Sequence, residues 1–361
     1  MKIRRTGAYG ILRDGSGRVL LARNSDASEF PGRWTLPGGG VEQGEHPDKA
    51  VVREFSEETG LTVRISALHS VTADVTRLPG GRLEHTDRII YDVTTAAGTL
   101  TNEQDGTTDL VEWIHPERAA ALPLMPFTAT LLALPADDPL ELADLPPAEA
   151  RDVPGLPPAV ALDVADLPRA AALDVPGLPP AGAREPAGLP PAGAPKSEIS
   201  EKSGAEGQGA ARGPVQRFGA YAVASDADGR ILLAKISQGY PGAGHWHLPG
   251  GGTDHGETPE QGLARELFEE TSQHGRIVGL LGISHRYDPG AVGPEGVPMD
   301  WHVIRALFRV VVDLPTEPVV TEAAGGSTEV AGWFTRAEID RMPLSELARE
   351  SLSRIDVLPE S

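Results

Sequence analysis

The feature that most limits how this chain can fold is an internal duplication. The stretch 4-RRTGAYGILRDGSGRVLLAR-23 returns as 216-QRFGAYAVASDADGRILLAK-235 at a constant offset of 212, pairing Gly7 with Gly219, Tyr9 with Tyr221 and Leu21 with Leu233. The offset holds without a gap through Trp34/Trp246 and Leu36/Leu248 to Glu58/Glu270, and 106-GTTDLVEWI-114 matches 326-GSTEVAGWF-334 at an offset of 220. Self-similarity on this scale means two copies of one domain, and 361 residues are enough for two ordinary domains with connecting chain. The expected organisation is a first domain over 1–135, a connecting segment over 136–213 and a second domain over 214–361.

The connecting segment has a finer period. Leu145, Leu156, Leu167, Leu178 and Leu189 stand 11 residues apart in units such as VPGLPPA. Proline in every unit forbids continuous helix, so residues 139–195 read as an extended, polyproline-rich spacer and 196–213 as a polar tail. Within each copy the pattern is mixed α and β. Strands are expected at 6–13, 18–23, 61–71 and 88–95, and at 219–224, 230–235, 276–284 and 301–313. A closing helix is expected near 116–134 and near 335–354.

The chemistry lies in 36-LPGGGVEQGEHPDKAVVREFSEETGL-61 and 248-LPGGGTDHGETPEQGLARELFEETSQ-273. Pro47 suits the first turn of a helix that Gly60 ends in the left-handed conformation, and Thr258 with Gln261 forms a capping box. Glu54, Glu57 and Glu58 fall at i, i+3 and i+4, on one helical face within about 6 Å of one another. Val51, Val52 and Phe55 form the face that buries. Glu266, Glu269 and Glu270, backed by Leu263, Leu267 and Phe268, repeat the design. Like charges so spaced repel. Arg53 and Arg265 can each neutralise one carboxylate, and the remaining oxygen ligands suit a hard divalent cation.

The first stretch resembles the signature of the Nudix (MutT-like) hydrolases, G-x5-E-x7-R-E-U-x-E-E-x-G-U, at Gly39, Glu45, Arg53, Glu54, Phe55, Glu57, Glu58, Gly60 and Leu61. The second matches at Gly251, Glu257, Arg265, Glu266, Leu267, Glu269 and Glu270, and departs at Ser272 and Gln273. The resemblance implies an α/β fold, two α/β/α sandwich domains, and hydrolysis of a nucleoside diphosphate linked to a further group, dependent on Mg²⁺ or Mn²⁺. It implies that Gly39, Glu54, Glu57 and Glu58 hold the metal in one copy and Gly251, Glu266, Glu269 and Glu270 in the other, with Arg53 and Arg265 serving the catalytic glutamates. Either Glu54 or the later Glu103, and either Glu266 or Glu322, is the implied general base. The departures at Ser272 and Gln273 touch no metal ligand, so the second site is expected to be competent. A fold retained for ligand sensing, with one or both sites weak, is the alternative.

Charge and composition narrow the partners. Basic and acidic residues number 14 and 18 in 1–135, 6 and 13 in 136–213, and 12 and 21 in 214–361. No block is basic, which disfavours a nucleic-acid polymer as ligand and leaves a small nucleotide. The absence of cysteine excludes thiolate chemistry, including the cysteine-dependent isomerases that share the fold. No apolar run is long enough for a membrane span and no signal peptide is evident, so a cytoplasmic protein is expected. Trp34 and Trp246 read as packing beneath the glycine loops and Trp113 and Trp333 as core, while His245 and His247, which flank Trp246, read as local hydrogen-bond partners with contact to a phosphate as the alternative. Whether the copies pair within one chain, pair as a homodimer or stay apart is open in the sequence.

Overall fold

The computed structural model describes residues 2–103, 106–134, 170–171, 212–292, 298–321 and 326–355. The spacer reading of 139–195 and the tail reading of 196–211 therefore lie outside the described residues, apart from Ala170–Ala171.

The first copy runs β1 (Lys2–Leu12), β2 (Val19–Asn24), β3 (Trp34–Thr35), β4 (Gly38–Gly40), α1 (Pro47–Thr59), β5 (Leu61–Arg77), β6 (Leu83–Gly98), β7 (Thr108–Ile114), α2 (Pro116–Ala119) and α3 (Pro126–Leu131). A two-residue strand, β8 (Ala170–Ala171), pairs with β5. The second copy runs β9 (Arg212–Ser225), β10 (Ile231–Ile236), β11 (Trp246–His247), β12 (Gly250–Gly252), α4 (Pro259–Thr271), β13 (Arg276–Val292), β14 (Pro298–Val311), β15 (Thr328–Phe334), α5 (Arg336–Ile339) and α6 (Glu346–Ile355). All eight expected strands are present, most of them longer than the sequence pattern suggested.

In each copy a long first strand runs parallel to a later one, β1 beside β6 and β9 beside β14, and an antiparallel hairpin partner, β5 or β13, completes the centre of the sheet. The glycine loop forms the far edge: β4 pairs antiparallel to β1, with Gly38 opposite Tyr9 and Gly39 opposite Ala8. This edge explains the glycines. Gly38 has φ 140°, and a Cβ there would stand 2.3 Å from the Ala8 carbonyl oxygen, so any other residue would push the loop off the sheet.

Helices cover both faces of each sheet. Val51 and Phe55 of α1 are fully buried against Ala8, Ile89, Tyr91 and Val93, and Leu263 and Leu267 of α4 pack against Phe218, Ile304 and Phe308. Burying a side chain such as Phe55 contributes about 2–3 kcal/mol. On the opposite faces, α2 and α3 cover Tyr9, Ile11, Leu21 and Ile90, while α5 and α6 cover Val223, Leu233 and Leu307. The result is the α/β/α layering that the sequence implied, with sheet dominating.

The closing helices differ from expectation. Each is two short helices, because Pro123 and Pro343 interrupt the run. The break has a use: Trp34 N–H donates to the Pro123 carbonyl and Met125 N–H to the Trp34 carbonyl, with Trp246, Pro343 and Ser345 repeating the pattern. Trp34 is buried in the core, and Trp246 packs edge-on against Phe334 with centroids 4.7 Å apart. Trp113 and Trp333 are only partly buried beside the core, and Trp333 Nε1 donates to the Thr316 carbonyl.

Candidate active site

Helix α1 begins where His46 Nδ1 accepts the Asp48 N–H at 3.1 Å and Pro47 opens the first turn; it ends at Gly60, φ 70°. Helix α4 begins with the Thr258–Gln261 capping box and ends at Ser272, φ 55°. The second copy thus keeps the helix end without its glycine. A left-handed non-glycine residue costs about 1 kcal/mol, and local bonds offset it. Ser272 Oγ donates to the Val319 carbonyl at 2.7 Å. Gln273, buried where the signature has an aliphatic residue, donates to Thr316 Oγ1 at 2.8 Å and accepts from Thr316 N–H at 2.9 Å.

Arg53 organises the acidic face more fully than the i, i+4 spacing suggested. Its Nε and Nη2 donate to the two oxygens of Glu45 at 3.0 and 2.9 Å, its Nη1 to Glu54 at 2.8 Å and Glu57 at 3.2 Å, and its Nη2 to the Gly40 carbonyl at 2.9 Å. Arg265 makes the same five bonds to Glu257, Glu266, Glu269 and the Gly252 carbonyl. Both guanidiniums are held firmly charged by these carboxylates. Glu54 is raised above the usual carboxylate range, first by burial and then by Glu57 and Glu45.

Glu58 departs from the single-face picture. Its carboxyl turns inward, accepting the Gly38 N–H at 2.9 Å and the Thr108 hydroxyl at 2.8 Å. Burial pushes it up to about 8, with Glu54 and Glu103 adding to the rise. Glu270 is placed identically by the Gly250 N–H at 2.9 Å and Thr328. The helix is thereby stapled to the glycine strand and to the strand that follows the site. Glu103 lies in the same neighbourhood and accepts the Thr108 N–H at 3.0 Å; Glu322 lies outside the described residues.

The donor set suits a divalent metal in chemistry: every candidate is a hard oxygen. The approach is also tight, since a Cβ on Gly39 would stand 2.7 Å from the Glu54 carboxylate, and one on Gly251 the same distance from that of Glu266. Only glycine lets the backbone lie against these glutamates. Among the described residues no three acidic or histidine side chains form a ready metal site; Arg53 and Arg265 engage three glutamates each, and Glu58 and Glu270 face inward. Of the oxygens expected to hold a cation in the first copy, those of Glu54 and Glu57 meet Arg53, and those of Glu58 meet the Gly38 N–H and the Thr108 hydroxyl.

The flanking histidines serve the frame. His245 Nδ1 is 3.1 Å from the Gly242 carbonyl oxygen and His247 Nδ1 is 2.6 Å from Ser345 Oγ; burial lowers His247 to about 4. Sequence reasoning missed Arg88 on β6, on the Tyr9 face of the sheet, 4.3 Å above the Phe127 ring and 2.7 Å from Asp74. Ser70 Oγ, Asp74 Oδ1 and Arg88 Nε are buried there without hydrogen-bond partners. The signal was present, since 85-HTDR-88 and 302-HVIR-305 share an H-x-x-R spacing.

The NUDIX domain profile matches residues 3–134 and again 215–355, most of the chain. This protein is a Nudix hydrolase. The CTP pyrophosphohydrolase of Escherichia coli K12 is 32% identical over 145 residues, covering 38% of this chain and 100% of its own. The 8-oxo-dGTP diphosphatase of the same strain is 38% identical over 55 residues, 15% of this chain and 43% of its own. A MutT Nudix hydrolase of known structure from Burkholderia pseudomallei is 27% identical, covering 36% of this chain and 96% of its own, with a TM-score of 0.31. Among the described residues of this Nudix hydrolase, no helix is long and apolar enough to cross a membrane.

Proposed function

We propose that both copies are hydrolytic sites that cleave the diphosphate linkage of small nucleoside diphosphate derivatives or nucleoside triphosphates, dependent on Mg²⁺ or Mn²⁺. The observation that carries this reading is the repetition: Arg53 and Arg265 make the same five bonds, and Glu58 and Glu270 the same backbone anchor, in two copies whose surrounding sequence has diverged.

Water attacks one phosphorus, the bond from that phosphorus to the bridging oxygen breaks, and the bridging oxygen leaves with the electron pair on the other phosphate. The products are a nucleoside monophosphate and either phosphate-X or pyrophosphate. The divalent cation, when bound, offsets phosphate charge and lowers the pKa of water. Glu54 is the favoured proton acceptor of the first site, because burial raises its carboxyl above the ordinary range and so makes it the better base. Glu266 is its counterpart in the second. Arg53 and Arg265 keep the glutamates aimed, and Glu58 and Glu270 fix the helix to the glycine strand. The names of the relatives, which act on CTP and 8-oxo-dGTP, support a nucleoside triphosphate as the first substrate class to try.

Arg88, Asp74 and Ser70 supply unpartnered donors and acceptors beyond Tyr9, suited to a base or sugar edge. Strand register puts Arg305 at the place of Arg88 and Arg286 at that of Asp74, so the two sites are expected to differ in substrate preference. The test is product analysis with Mg²⁺ and with EDTA, using CTP, 8-oxo-dGTP, ADP-ribose, dinucleoside polyphosphates and nucleotide sugars. Metal-dependent release of a nucleoside monophosphate from a panel member supports the reading. Turnover of none, or turnover indifferent to EDTA, refutes it.

A further inference from the structure

Outside the glutamate sites, the described residues form a polar seam between the copies, and it is built from matching positions. Register makes the equivalence explicit: Arg4 on β1 pairs with His85 on β6, and Gln216 on β9 pairs with His302 on β14. Arg4 donates to the carbonyl and hydroxyl of Thr253. Gln216, its counterpart, donates from Nε2 to the carbonyl of Val41 at 3.1 Å, and Val41 is the counterpart of Thr253. His85 Nδ1 accepts the Gly256 N–H at 2.8 Å, while His302 Nδ1 accepts the Gly44 N–H at 3.2 Å. The contact to the carbonyl and the contact to the histidine Nδ1 each occur twice with the copies exchanged, as at an isologous interface.

The positions these contacts reach matter more than their number. Residues 41–45 and 253–257 are the turns between the glycine strand and the glutamate helix. Glu45 follows Gly44 and Glu257 follows Gly256, and these two carboxylates take the forks of Arg53 and Arg265. The chain of contact therefore runs from His302 of the second copy through Gly44 to Glu45, Arg53, Glu54 and Glu57 of the first, and the reverse chain starts at His85. Both imidazoles are fully buried. Their outer nitrogens are engaged too: His85 Nε2 lies 3.2 Å from Asp87, itself held by Arg4, and His302 Nε2 lies 3.3 Å from His285 Nδ1. The Asp87 carboxylate fixes the His85 tautomer with Nδ1 free to accept, and the two donors that face His302 Nδ1, the Gly44 N–H and Gln216 Nε2, require the same tautomer there. Gln43 adds a donation to the Asp300 carbonyl at 3.1 Å.

We propose that His302 and His85 are crossed positioning residues: each imidazole, supplied by one copy, holds the acidic turn of the other copy's hydrolytic site. This rests on the hydrolytic reading of those sites. A buried N–H deprived of its acceptor is costly, so the turn shifts when the imidazole is removed, and misplacing the carboxylates it supports lowers kcat more than substrate binding.

The test uses the full chain with one site silenced at a time. Glu269→Gln leaves the first site to be measured and Glu57→Gln leaves the second. In these backgrounds His302→Ala is expected to lower kcat of the first site at least about tenfold, with KM within about threefold, while the second site stays within about twofold. His85→Ala should do the reverse. His302→Asn, whose side-chain oxygen can accept the Gly44 N–H, should restore much of the loss. Independently of activity, hydrogen exchange at residues 41–46 should rise in His302→Ala. Loss confined to the copy that carries the substituted histidine, or no change in exchange at 41–46, overturns the proposal. If the parent chains hydrolyse nothing, the hydrolytic reading fails and the exchange measurement alone decides the crossed contact.

Discussion

Arg53 and Glu45 meet in a two-bond fork, Nε to Oε1 at 3.0 Å and Nη2 to Oε2 at 2.9 Å, and the same guanidinium reaches Glu54 and Glu57. One cation thus sets the direction of three carboxylates before any metal arrives. Lysine cannot reproduce that geometry. Arg53→Lys is expected to lower kcat of the first site by about 100-fold while the thermal midpoint falls by only a few degrees, since the group is part-exposed and the turn keeps its other anchors. Steady-state kinetics in the Glu269→Gln background checks this, and a loss below about threefold contradicts it.

Glu58 is expected to make the metal-free protein less stable as pH rises from about 4.3 to about 8. Its carboxyl is raised to about 8 in the folded chain, against an ordinary glutamate of about 4.3 in the unfolded one. The folded state therefore holds the proton more tightly, and this stabilisation is fully present below about 4.3 and is lost progressively as pH rises to about 8. In EDTA, Glu58→Gln should be more stable relative to wild type at pH 9 than at pH 5, by roughly a few kcal/mol. Thermal melts across that range measure the difference. A constant gap between the two proteins contradicts the assignment.

The two helix ends should respond unequally to substitution. Gly60→Ala places a Cβ 2.3 Å from Thr101 Oγ1 at φ 70°, so it should destabilise by at least about 1–2 kcal/mol. Ser272→Gly relieves the left-handed cost but loses the hydroxyl bond to Val319, so its net effect should stay within about 1 kcal/mol. Chemical denaturation of each variant gives both numbers.

Arg88 offers a test of the substrate face. It packs over Phe127 and pairs with Asp74. Arg88→Ala should raise KM of the first site by about tenfold or more with kcat reduced less than about threefold, the signature of lost ground-state binding. A fall in kcat at unchanged KM contradicts this placement.

Much of this was legible in the sequence because local rules dictate it. The constant offset exposed the duplication, Pro47 and the Thr258 box marked the helix starts, and the glutamate spacing marked the acidic face. What escaped depends on partners far along the chain. Glu58 turns inward because Gly38 and Thr108 wait there, 20 and 50 residues away. The closing helices break at Pro123 and Pro343 because the exposed carbonyls are wanted by Trp34 and Trp246. The seam escaped because Gly44 and His302 are 258 residues apart, and no periodicity links a turn to a strand of the other copy.

The central claim is that two sites in one chain do the same chemistry. Its most direct test is Mg²⁺-dependent hydrolysis of the best panel substrate for each site by wild type, Glu57→Gln, Glu269→Gln and the double variant. Each single variant is expected to lose one substrate activity and keep the other, and the double variant to lose both. A double variant as active as wild type would contradict it.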